Sequence, residues 1–176
     1  MRVVCRAVTR VLAAAAVVGF VMHVAARIAA DPGRDWLQWV VNWGALWVGV
    51  PFFAGRRSCG VTAAVLLGAA AGATEVAVYY GVVGLATFQV VWLVVGAMVS
   101  GVAGAVGMAS RRYRFGLLFL PILLVLEPLV VTAGFLALGR HIGGPHWIAS
   151  CLAEALAGVV AGCVLAANAL KARVAI

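Results

Sequence analysis

Apolar residues fill six long stretches of the chain, near 8–29, 36–55, 60–83, 87–109, 115–138 and 147–170, and short polar or basic breaks separate them. Each stretch is close to the ~20 residues with which an α-helix crosses the hydrocarbon core of a bilayer. The pattern predicts an all-α protein: one integral-membrane bundle of six transmembrane helices over 1–176, with no extramembrane domain, low-complexity tail or charged arm. The first stretch also has the outline of a signal peptide, with a basic start, an apolar segment over 11–22 and Ala29-Ala30 ahead of Asp31. His23 and Arg27 interrupt that outline, so we read the stretch as a retained span. Cleavage would leave five helices with their orientation unchanged.

Composition agrees, with 66% hydrophobic and 10% charged residues and a mean hydropathy of +1.15, values of a membrane protein rather than a soluble domain. The net charge of +8 raises the question of nucleic acid. The basic residues, however, sit in short clusters between apolar runs, whereas a nucleic-acid face would be more continuous. No nucleic-acid partner is expected. Arg2, Arg6, Arg10, Arg56, Arg57, Arg111, Arg112, Arg114, Lys171 and Arg173 fall on one side of the six-span arrangement, and only Arg27, Arg34 and Arg140 on the other. Ten against three is a strong positive-inside bias. It predicts cytoplasmic amino and carboxyl termini in a bacterial inner membrane.

Small residues recur one turn apart at Gly68 and Gly72, at Gly158 and Gly162, and along Gly96, Ser100 and Gly104. Such rows let helix backbones approach closely in lipid, where the ordinary hydrophobic force between helices is missing. We read them as packing seams, and a homo-oligomer is compatible with them. Pro121 and Pro128 each remove a backbone donor, freeing the carbonyls of Leu117 and Leu124, which predicts a kinked fifth helix beside a cavity or a neighbour. Cys5, Cys59, Cys151 and Cys163 form no Cys-x-x-Cys pair. Cys151 and Cys163 are ~18 Å apart along one helix, too far for a disulfide, so the cysteines read as small apolar fillers.

The chemistry lies in the acids. Asp31 and Asp35 share one polar loop, while Glu75, Glu127 and Glu154 each stand inside an apolar run. A carboxyl in hydrocarbon is expensive and persists where it faces a protein interior or a wet cavity. All three fall in the middle or outer half of the membrane, and we expect one shared cavity. Tyr79 follows Glu75 by one turn and shares its face. Trp36, Trp39, Trp43 and Trp47 form a stripe within ~80° of arc on the second span. Trp36, like Trp147, reads as an interfacial anchor, whereas Trp43 and Trp47 are deeper and face the bundle. Asn42 and Gln38 suit interhelical hydrogen bonds. Phe88 and Trp92 add aromatic surface on the fourth span, and Tyr80 completes the lining. No metal or cofactor is expected: His141 and His146 have no cysteine or acid beside them. A phosphate loop, a nucleophile elbow and His-Glu-x-x-His are all missing, as is an acidic cluster for diphosphate ionisation.

The stretch 41–81 contains Asn42-Trp43-Gly44-Ala45-Leu46-Trp47, Ala54-Gly55-Arg56 and a Gly/Ala-rich helix ending in Tyr79-Tyr80-Gly81. It resembles an uncharacterised family of small bacterial membrane proteins, which implies several spans and no particular activity. In size, and in pairing membrane glutamates with aromatics, the chain also resembles small integral-membrane terpene cyclases of bacterial meroterpenoid pathways. No diagnostic motif aligns, so no catalytic residue is carried over.

The residues lead to an expectation of protonation-initiated cyclisation of a polyprenyl or epoxy-polyprenyl substrate, a hydrophobic small molecule drawn from the bilayer. Buried carboxyls favour their neutral form, which a general acid needs, and aromatic faces stabilise carbocations in a dry pocket. Glu75 is the expected acid with Tyr79 beside it, and Glu127 or Glu154 the partner or final base. Trp43, Trp47, Tyr80, Phe88, Trp92 and Asn42 form the substrate lining. A different class is a solute-capture subunit similar to those of energy-coupling-factor importers, with an ATPase module docked on the alanine run 13–16. A third is a non-catalytic scaffold, in which Glu→Gln changes at all three positions leave the phenotype intact.

Overall fold

The computed structural model describes residues 2–30, 34, 41, 44–81, 87–137 and 145–174, and among them six α-helices. These are α1 (Arg2–Ala29), α2 (Gly44–Arg56), α3 (Val61–Gly81), α4 (Thr87–Ala109), α5 (Phe119–Ala137) and α6 (Pro145–Val174), with a short 3-10 turn, Arg114–Leu118, ahead of α5. The all-α expectation holds. Four segments are long and apolar enough to cross a membrane: Arg6–Ala29, Val61–Gly81, Val90–Ala109 and Ile148–Asn168. Large apolar side chains stand exposed along them, Val17, Leu66, Met98 and Leu156 each by more than 60%. An apolar outer surface of this extent suits lipid and marks a multi-pass membrane protein.

Of the second expected span, 36–55, the described part is Val41 and α2; Trp36, Trp39, Asn42 and Trp43 lie outside the described residues. The fifth is described as α5, with an apolar stretch over Gly116–Val130. Its expected kink at Pro121 gives way to a different solution. The 3-10 turn precedes α5, and Pro121 stands in the first turn of the helix, where a missing backbone N–H has no intrahelical role. Pro128, and also Pro51 in α2, do lie inside helices.

Glycine sets the inner packing. A Cβ on Gly68 would strike the Ser100 backbone and one on Gly72 its hydroxyl, while Gly96 lies against Val76, so α3 and α4 run antiparallel along the expected small-residue rows. Gly55 meets the Gly104 backbone, and Gly107 that of Phe52; α2 and α4 therefore cross with main chains in contact. Gly19 lies on Glu75, and four residues further along each helix His23 lies on Tyr79. The constant offset makes α1 and α3 parallel. Helices α5 and α6 are antiparallel, with Gly158 against Pro121 and Val125. Along the alanine run Ala15 is buried, whereas Ala13 and Ala14 are exposed.

Candidate functional site

Glu75 stands two-thirds of the way along α3, on the side that meets α1. It is 0% exposed, and neither carboxylate oxygen has a hydrogen-bond partner among the described residues. The glycine at position 19 makes this possible, because any Cβ there would collide with the Glu75 carbonyl. The backbone of α1 thus closes directly over the carboxyl-bearing turn. A buried polar group without a partner costs free energy, so its retention calls for a role.

One turn on, Tyr79 is the hub of an aromatic group. Its ring is edge-on to Trp47 at 5.2 Å, to Tyr80 at 4.7 Å and to His23 at 6.1 Å. Edge-to-face contact is the favoured geometry for aromatic pairs. Trp47 is oriented by its indole N–H, which donates to the Val41 carbonyl at 2.8 Å. His23 Nδ1 donates to the Tyr79 carbonyl at 2.8 Å. Since a carbonyl only accepts, this contact places a proton on Nδ1.

The second acidic group is separate. Glu127 on α5 and Glu154 on α6 meet carboxyl to carboxyl. The first backbone N–H of α2, that of Gly44, donates to Glu127 Oε1 at 2.5 Å, and the Ala45 N–H also points at this carboxyl. Glu127 accepts from backbone, and Glu154 is only 4% exposed. Glu127 Oε2 and Glu154 Oε1 remain without partners. Cys151, one turn before Glu154, touches Thr132 on α5; it is free, as are Cys59 and Cys163.

The three glutamates therefore form two groups, not the single one expected. Among the described residues α3 packs on α1, α2 and α4, whereas α5 packs on α6 and also touches α2. The first turn of α2 is the divider: Gly44 faces Glu127 and Trp47, three residues later, faces Tyr79. Two pockets stand out among the described residues, a basic one of about 510 Å³ at Arg56, Arg57 and Arg111 and an apolar groove of about 290 Å³ between α5 and α6. No glutamate lines either one.

Of the expected lining, Trp47 and Tyr80 join the Tyr79 group, and Trp92 is 45% exposed on α4. Asn42 and Trp43 lie outside the described residues, as does the side chain of Phe88. Sequence reasoning overlooked His23 and Gly44. The former carries a usable signal, a polar ring inside an apolar run; the latter carries none, because only the fold brings its N–H to an acid. No family profile matches the chain, and no curated protein or solved structure is similar to it, so the resemblance over 41–81 identifies no family.

Proposed function

We propose that the protein is a membrane-embedded cyclase that begins its reaction by protonating an alkene or epoxide of a polyprenyl or epoxy-polyprenyl substrate. The observation that carries this reading is the Glu75 carboxyl, fully enclosed, without a hydrogen-bond partner among the described residues, and one turn from the Tyr79 aromatic group. Carboxyls kept from water favour the neutral form from which a general acid starts. Glu75 gives its proton to the substrate, and the ring faces of Tyr79, Trp47 and Tyr80 stabilise the carbocation that results. A carbon next to the final cation then loses a proton to Glu127 or Glu154. No cofactor is needed for this sequence of proton transfers.

In this reading all six apolar stretches cross a bacterial inner membrane, with both termini cytoplasmic and the substrate entering from the bilayer. The parallel α1 and α3 and the antiparallel α3 and α4 support it, because they gather the basic ends at Arg6, Arg10, Arg56, Arg57, Arg111 and Arg112. Positive clusters of this kind face the cytoplasm. The test is turnover of an epoxy-polyprenyl by purified, reconstituted protein. Glu75→Gln keeps the shape and removes the acid, and a loss of ~10²-fold or more is expected; undiminished turnover removes Glu75 from the role.

A second reading draws on the other acidic group. Two carboxylate oxygens without partners among the described residues, beside the Gly44 N–H, suit capture of a solute that donates hydrogen bonds, as in a transporter's substrate-binding subunit. Co-purification of an ATPase module, with tight solute binding lost in Glu127→Gln, distinguishes it from the cyclase.

A further inference from the structure

The geometry points to a binding site for a phosphate-bearing amphiphile at the basic end of the bundle, in the pocket of about 510 Å³ lined by Arg56, Arg57, Arg111 and Phe53. Two helices build it. Arg56 ends α2, Arg57 begins the turn after it, and Arg111 follows the end of α4. Backbone contact at Gly55–Gly104 and Phe52–Gly107 locks these ends together. The turn is held as firmly: the Arg57 N–H donates to the Ala54 carbonyl at 3.1 Å, and the buried Ser58 hydroxyl donates to the same carbonyl at 3.1 Å. Arg111 Nη1 then donates to the Ser58 carbonyl at 2.9 Å, which fixes one edge of its guanidinium and leaves the other edge to the pocket.

The charges converge without a counter-ion. None of the three arginines is ion-paired among the described residues, and the chain has no acid between Asp35 and Glu75 or between Glu75 and Glu127. Topology alone calls for positive charge near this membrane face; it does not call for three guanidinium groups from two helices turned into one cavity. Guanidinium forks match phosphate oxygens in pairs, and basic pockets between membrane helices hold lipid head groups in this way. Phe53, 52% exposed, supplies the apolar edge against which an acyl or prenyl chain lies. The site stands apart from the three glutamates and does not depend on the cyclase reading.

The test is native mass spectrometry of the full-length chain in detergent, titrated with phosphatidylglycerol or phosphatidylcholine, together with thermal shift in millimolar inorganic phosphate. Phosphatidylglycerol is expected to bind about tenfold more tightly than phosphatidylcholine, since only the former brings net negative charge to the forks. The triple change Arg56→Lys, Arg57→Lys, Arg111→Lys keeps the charge but not the fork, and the preference should fall to about threefold or less. Should that variant misfold, Arg57→Gln alone, at an exposed position outside the Ser58 contact, should lower the preference by about threefold. Stabilisation by inorganic phosphate that disappears in the same variants supports the site with a free phosphate compound as its source. Equal binding of the two lipids overturns the proposal. So does a preference that survives these changes, or one lost as readily with Arg6→Lys and Arg10→Lys.

Discussion

The two acidic groups solve the same problem in opposite ways. Around Glu75, four helices are drawn together by glycine until backbones touch, and a single carboxyl is sealed in with no donor among the described residues. Around Glu127 and Glu154, the α5–α6 pair touches α2, and the carboxyls meet each other while Glu127 accepts from the Gly44 N–H. Burial alone therefore does not say what a membrane carboxyl is for. An unpartnered group is costly where it stands, whereas a partnered pair also contributes to holding its helices together.

Breaking the tight region should have the largest effect. Gly19→Leu or Gly55→Leu drives side-chain atoms into the backbone of α3 or α4, and ~3 kcal/mol of destabilisation is expected in detergent unfolding followed by circular dichroism. The same glycine logic gives the opposite result at Gly162, where α6 leaves room beside α5. A Cβ on Gly162 makes only a 3.7 Å contact with Pro121, and Gly162→Ala should shift stability by less than ~0.5 kcal/mol.

Replacing the acids by leucine sharpens the contrast. Glu127→Leu strands the Gly44 N–H and removes the contact with Glu154, and should cost ~1–3 kcal/mol. Glu75→Leu strands nothing and removes a desolvated polar group, so it should leave the melting temperature unchanged or raise it while abolishing activity. A fall in stability as large as that of Glu127→Leu would mean that Glu75 has a donor after all.

A double-mutant cycle asks whether the groups are independent. Glu127→Gln and Glu154→Gln should couple by ~1 kcal/mol, as partners in one hydrogen bond do, and Glu75→Gln should be additive with either within ~0.5 kcal/mol. Coupling of Glu75 to the pair would restore the single shared cavity. The smallest expected effect is at the divider, where Trp47→Phe keeps ring contact with Tyr79 but loses the bond to the Val41 carbonyl. About 1 kcal/mol or less is expected, with the tryptophan fluorescence of the remaining residues as the control on packing.

Much of the fold was legible because a bilayer imposes it. Runs of apolar residues have one stable solution at membrane depth, a helix, so α1, α3, α4 and α6 follow from composition and length. The Gly68, Gly72, Ser100 and Gly104 seam was equally legible, since small residues one turn apart have a single packing use. Pro121 was misread, because a proline's effect depends on whether it opens a helix or interrupts one, and the 3-10 turn ahead of it moved the helix start. The acids were found by their cost alone.

What the sequence determined by itself, then, was an all-α membrane chain, its seams, and the identity of the carboxyls held at depth, all consequences of transferring side chains and backbone from water to lipid. Only the tertiary structure decided their company. Helix crossing angles and the position of one N–H at the start of α2 place Glu127 with Glu154 and leave Glu75 with Tyr79, Trp47 and His23. Those pairings arise between helices far apart in the chain, and spacing along any one helix does not encode them.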